Sequence, residues 1–123
     1  MTLLFVYGTL KRGCCNHHLM AGQEFLGEAR TEPGFRLYDL GGHPGLVVQP
    51  ADTEGVIGEV WSVDAACLAQ LDVLEGVAER WYRREPVALL APFVGQNIEA
   101  YTYPHHIEGR REVGAVWREQ TEP

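Results

Sequence analysis

Leu3 to Tyr7 reads LLFVY, an unbroken apolar run that stops at Gly8-Thr9. Its β-branched and aromatic side chains favour a strand. Successive strand side chains point to opposite faces. A strand that is apolar at every position therefore needs cover on both sides.

The rest of the chain limits how that cover is built. Strand-like pieces run from Glu24 to Asp39, broken at Pro33-Gly34. Others are Gly45 to Gln49, Val56 to Val63, Tyr82 to Leu90 and Ile98 to Tyr103. In Val56 to Val63, alternation puts Ile57, Trp61 and Val63 on one face and Val56 and Val60 on the other. LGGHPG, Leu40 to Gly45, has loop composition. Helical signals are few. Asn16 can cap a short helix through HHLMAG, closed by Gly22. Asp64 can cap a longer one reaching about Glu75, just before Gly76.

About six strands and two short helices follow in mixed order. Regular βαβ alternation is absent, which disfavours a doubly wound sheet. The expected fold class is α+β, a compact mixed sheet resembling a small barrel. At 123 residues the chain is expected to form a single domain over positions 1–123, with a polar, loose tail after about position 104.

Composition narrows the function. A formal net charge of -7 repels phosphate backbones, so no nucleic-acid partner is expected. No apolar run approaches the ~20 residues of a membrane span. TLLFVYG has no charged segment ahead of it and does not read as a secretory signal. No membrane partner is expected, and the expected address is the cytoplasm. Cys14, Cys15 and Cys67 are too few, and odd in number, for a disulfide framework. Neither HExxH nor CxxC occurs, so no metal site is expected. Cys67 reads as a core residue. Cys14 and Cys15, close to His17 and His18, leave open a thiol nucleophile.

Glu75 breaks the helical pattern. At ~100° per residue, Cys67, Leu68, Leu71 and Leu74 form one stripe, and Glu75 falls within it. Asp72 lies at its edge. A carboxylate among apolar neighbours loses hydration, and in a last helical turn it also meets the negative end of the dipole. Both effects raise its pKa and suit it to exchanging protons near neutrality. The competing reading is that the helix end frays and Glu75 pairs in water with Arg80 or Arg83.

VYGTLKRG, Val6 to Gly13, is the second constellation. Glycine permits a sharp turn and close ligand approach. Successive N–H groups in such a turn can converge on one oxygen. A plain turn is the alternative. A phosphate loop is disfavoured, because GxxxxGK[ST] is absent and Arg12 follows Lys11.

Taken together, these stretches resemble the gamma-glutamylcyclotransferase-like family, in particular its small gamma-glutamylamine cyclotransferase type. Tyr7-Gly8-Thr9-Leu10 matches the end of that family's first strand, with Lys11, Arg12, Gly13 and Asn16 following. Asp72, Glu75 and Gly76, then Tyr82 and Arg84, match its helix-end signature. Ala100 to Tyr103 is a weaker match, and the similarity runs from about Leu3 to Tyr103. The resemblance implies a barrel-like mixed fold with a cavity at the strand mouth and a small-molecule γ-glutamyl substrate. It implies attack by the α-amine on the γ-carbonyl, releasing 5-oxoproline and an amine, without metal or cofactor. By position, Glu75 is the general base and then the acid, and Tyr7, Gly8, Thr9 and Leu10 bind substrate. Tyr82 and Tyr103 are further candidates for lining the cavity. The rival reading is a non-catalytic module that binds a small molecule in the same cavity.

Overall fold

The apolar first strand lies inside a sheet covered on both sides. In the computed structural model, which describes residues 1–119, β1 (Thr2–Val6) pairs antiparallel with β5 (Ile57–Val63) and parallel with β7 (Glu99–Thr102). Leu4 and Val6 pack on one side with Trp61, Val63, Cys67 and Leu71. Phe5 and Tyr7 pack on the other with Leu37, Leu46, Val56 and Val60. The alternation expected in β5 holds for Trp61 and Val63 against Val56 and Val60.

Eight strands form one curled, mixed sheet where about six were expected. The others are β2 (Glu24–Arg30), β3 (Phe35–Asp39), β4 (Pro44–Val48), β6 (Arg83–Pro86) and β8 (Arg111–Gly114). The order is β2-β5-β1-β7-β4-β3-β8, and β6 pairs with β7 off this path. Helix α1 (Ala65–Leu74) begins where expected: Cys67 N–H donates to Asp64 Oδ1 over 2.7 Å. The second expected helix is a single 3-10 turn, His17–Met20. No helix among the described residues is long and apolar enough to cross a membrane.

The expectation of a loose tail after about position 104 is overturned. β8 pairs antiparallel with β3, Ala115 O accepts from Ile57 N–H (2.8 Å), and Trp117 is buried. Polar residues hid this, because an edge strand needs only backbone partners and one anchoring side chain. The last residues of that expected tail, 120–123, lie outside the described residues.

A feature of the topology places the site. β6 occupies one edge of β7 through four residue pairs, Arg83↔Thr102 to Pro86↔Glu99. β1 and β4 must therefore share the other edge. Each touches it at one pair, Leu4↔Glu99 and Leu46↔Thr102. The end of β1 and the start of β4 thus meet beside β7, and both line one cavity.

Candidate active site

The cavity has a volume of about 350 Å³ and is lined by residues distant in sequence. Tyr7, Gly8, Thr9 and Leu10 come from the end of β1. Gly42, His43 and Pro44 come from the loop into β4, and Leu74 and Glu75 from the end of α1. Tyr82, Tyr101, Cys15 and Asn16 complete most of the lining.

The β1 turn is held from inside. Lys11 N–H donates to Gly8 O (3.1 Å), and Asn16 N–H to Thr9 O (2.9 Å). Asn16 Nδ2 donates to Thr9 Oγ1 (3.0 Å). Asn16 therefore fastens the turn and makes no side-chain cap on the 3-10 helix. Outside the strand ladders, and among the described residues, the N–H groups of Gly8, Thr9 and Leu10 donate no backbone hydrogen bond. They remain free for a ligand oxygen. Gly8 is required by contact: a Cβ there would lie 2.5 Å from Pro44 Cγ.

Glu75 sits where α1 stops. Its N–H bonds Leu71 O (2.9 Å), and the next residue, Gly76, has φ 64°. A side chain at Gly76 would meet Trp81 Cδ1 at 2.8 Å as well as the strain of that backbone conformation. The glycine turns the chain away and leaves the Glu75 side chain half-buried on the cavity. Burial pushes its pKa up to about 7. The pairing with Arg80 or Arg83 does not occur among the described residues; the arginine that meets this helix end is Arg84, and it binds Asp72. The predicted apolar stripe holds for Cys67 and Leu71. Leu74 is 46% exposed, because this last turn overhangs the cavity instead of the core.

The tyrosines are walls and struts. Tyr7 Oη donates to Tyr101 O (2.6 Å) and accepts from Leu46 N–H (3.3 Å), linking the end of β1 to β7 and β4. Tyr82 Oη donates to Pro44 O (2.9 Å). Burial raises the pKa of Tyr7, Tyr82 and Tyr101 above the ordinary phenol range, so all three stay neutral near pH 7. The sequence-based expectation that Tyr103 lines the cavity is corrected. Tyr103 lies past the end of β7 with its ring edge-on to Tyr82 at 5.7 Å, and Tyr101 takes the lining position. Strand alternation puts both tyrosines on one face, so pattern could not choose between them.

The structure lends the thiol reading little support. Burial raises the pKa of Cys14, and burial with the Glu119 carboxylate raises that of Cys15. His17 Nδ1 is engaged with Leu10 O at 2.9 Å. The double variant Cys14→Ser/Cys15→Ser is expected to keep whatever cyclotransferase activity the parent shows; loss of that activity with the fold intact would restore a thiol role.

The fold is a mixed α+β sheet that opens on a cavity lined by one half-buried carboxylate and a glycine turn. The family model described as gamma-glutamyl cyclotransferase, AIG2-like, matches residues 4–119, and the chain belongs to that family. A Vibrio cholerae protein provisionally named gamma-glutamylcyclotransferase is 41% identical over 112 residues, covering 91% of this chain and 92% of its own. The gamma-glutamylaminecyclotransferase of Rattus norvegicus is 39% identical over 90 residues, 68% of this chain and 60% of its own. The crystal structure of a Mus musculus AIG2-like protein superimposes with a TM-score of 0.75 at 32% identity, covering 86% of this chain and 79% of that one.

Proposed function

We propose that this protein cyclises a γ-glutamyl compound, releasing 5-oxoproline and an amine, with Glu75 as its proton shuttle. The observation that carries the reading is the convergence of Glu75 and the Gly8-Thr9-Leu10 turn on one cavity. The reaction is intramolecular. The substrate α-amine forms a bond to its own γ-carbonyl carbon, and the bond from that carbon to the departing nitrogen breaks. Holding nucleophile and electrophile in the cyclising shape can be worth ~7–11 kcal/mol of barrier.

An ammonium cannot attack, so a base must first take its proton. A departing amide nitrogen is a poor leaving group, so an acid must supply one. A single carboxylate with a pKa near neutrality does both in turn, and no net proton is consumed. The free N–H groups of the turn stand ready to receive the oxyanion that develops on the γ-carbonyl. The neutral tyrosine walls exclude water from the acid–base exchange.

The deciding experiment incubates the protein with γ-glutamyl amino acids, glutathione and γ-glutamyl amines and looks for 5-oxoproline by mass spectrometry. Release from any of them supports the reading. A blank across all three, with binding retained, favours the non-catalytic module. The pH dependence is also specified. Only deprotonated Glu75 accepts the ammonium proton, so kcat should rise with pH and level off above about 7. A profile flat from pH 5 to 8 would remove Glu75 as the base.

A further inference from the structure

We infer that Asp72, Arg84 and Tyr101 form a clamp that holds the end of α1 so that Glu75 stays over the cavity. The inference rests on the reading of Glu75 given above, but its geometry stands independently. Helix α1 has no basic residue in its last turn, although Asp72 and the dipole make that end negative. The missing cation comes from another element. Arg84 of β6 grips Asp72 with Nε to Oδ1 at 2.9 Å and Nη2 to Oδ2 at 3.2 Å. The Oη of Tyr101 donates to the same Oδ1 at 2.7 Å. Arg84 Nη1 then ties to Glu99 Oε1 of β7 at 2.6 Å.

Strand register makes this one device. Arg84 and Tyr101 are directly opposed across the β6–β7 ladder, and both reach the same carboxylate. Asp72 lies three residues before Glu75, and its carbonyl also accepts from Val77 N–H (3.0 Å), which closes the helix end. Every connection from the sheet to this end of α1 in the clamp runs through Asp72. The side chains of Arg84, Asp72 and Glu99 are 25–27% exposed, so the pairs are partly shielded from water. Asp72, Arg84 and Glu99 do not line the cavity. They are positioning residues, acting through Glu75. Tyr101 does line it, so the clamp and the cavity share a wall.

The test uses the charge-preserving variant Arg84→Lys, which keeps a cation but loses the planar fork that holds both oxygens. Two readouts apply to the full chain. The first is carbon-13 NMR titration of the Glu75 carboxyl, assigned by comparison with Glu75→Gln. It needs no substrate, so it decides the clamp even if no γ-glutamyl compound turns over. The other titratable groups lining the cavity are Tyr7, Cys15, His43, Tyr82 and Tyr101, and Arg84→Lys changes none of them. The midpoint, about 7 in the parent, is expected to fall by about one unit or more as the loosened turn lets water reach the carboxylate.

The second readout is steady-state kinetics on whichever γ-glutamyl compound the parent cyclises. A base displaced by about 1 Å can lose ~10²-fold in rate. A fall in kcat of roughly 10- to 100-fold is expected, with KM changed less than about threefold. If Arg84→Lys fails to fold, Arg84→Gln, also outside the cavity lining, carries both readouts; its lost positive charge would by itself raise the midpoint, so a fall still reports the loosened turn. A midpoint that stays near 7 in a variant with an unchanged circular dichroism spectrum overturns the clamp. Unchanged kcat alongside a lowered midpoint also overturns its catalytic relevance.

Discussion

Glu75→Gln is expected to abolish measurable 5-oxoproline formation and, above pH 7, to raise the melting temperature. The first effect is the loss of the proposed base, roughly 10²–10⁴-fold in rate. The second follows from burial. The folded protein holds the Glu75 pKa at about 7 against an ordinary value of 4.5, so folding favours the protonated form. The associated stability is fully present below about pH 4.5 and is lost as pH rises to about 7. Above that, the fold carries a poorly hydrated carboxylate at a cost on the order of 3 kcal/mol. Glutamine removes the charge and keeps the shape, although its amide must find partners in the cavity. A gain of about 1–3 kcal/mol is expected at pH 8, a rise on the order of 5 °C. The gain should shrink at pH 5, where Glu75 is already mostly protonated. Thermal melts of parent and variant at both values check this. An equal gain at pH 5 and pH 8 would mean that burial of charge is not its source. Retained activity would remove Glu75 from the chemistry.

Gly8→Ala is the second large effect. The added methyl would lie 2.5 Å from Pro44 Cγ and 2.9 Å from its Cδ, too close for either group to stay in place. Pro44 opens β4, and its carbonyl receives the Tyr82 hydroxyl. Both residues line the cavity, so moving either reshapes it. Overpacking of this kind costs about 1–3 kcal/mol of stability. The larger loss is expected in kcat/KM, on the order of 10²-fold, because the turn that aims its N–H groups shifts with Gly8. Denaturant unfolding and steady-state kinetics on one preparation separate the two. A folded variant with parental kcat/KM would show that the approach of Gly8 to Pro44 is incidental.

Much of this arrangement was written in local pattern. LLFVY announced a doubly covered strand, and Leu4 and Val6 indeed pack opposite Phe5 and Tyr7. Asp64 and Gly76 bounded the long helix because capping is decided within one turn of chain. Glu75 was conspicuous because period 3.6 put a carboxylate where carbon was due, and Gly8 because few other residues end a buried strand so abruptly. Tyr101, Pro44 and the β8 strand left no comparable trace. Each matters through a neighbour far along the chain: Tyr101 through Asp72, Pro44 through Gly8, and β8 through β3.

Sequence alone determined the first strand, the long helix and which carboxylate is out of place, since propensity, capping and periodicity act over a few residues. Tertiary structure alone decided that β1 and β4 share one edge of β7, that Glu75 and a glycine turn line one cavity there, and that Arg84 binds Asp72 at the helix end. The physical reason is that burial raises the pKa of Glu75 only when distant strands take water away from it, and no stretch of sequence specifies its own solvent.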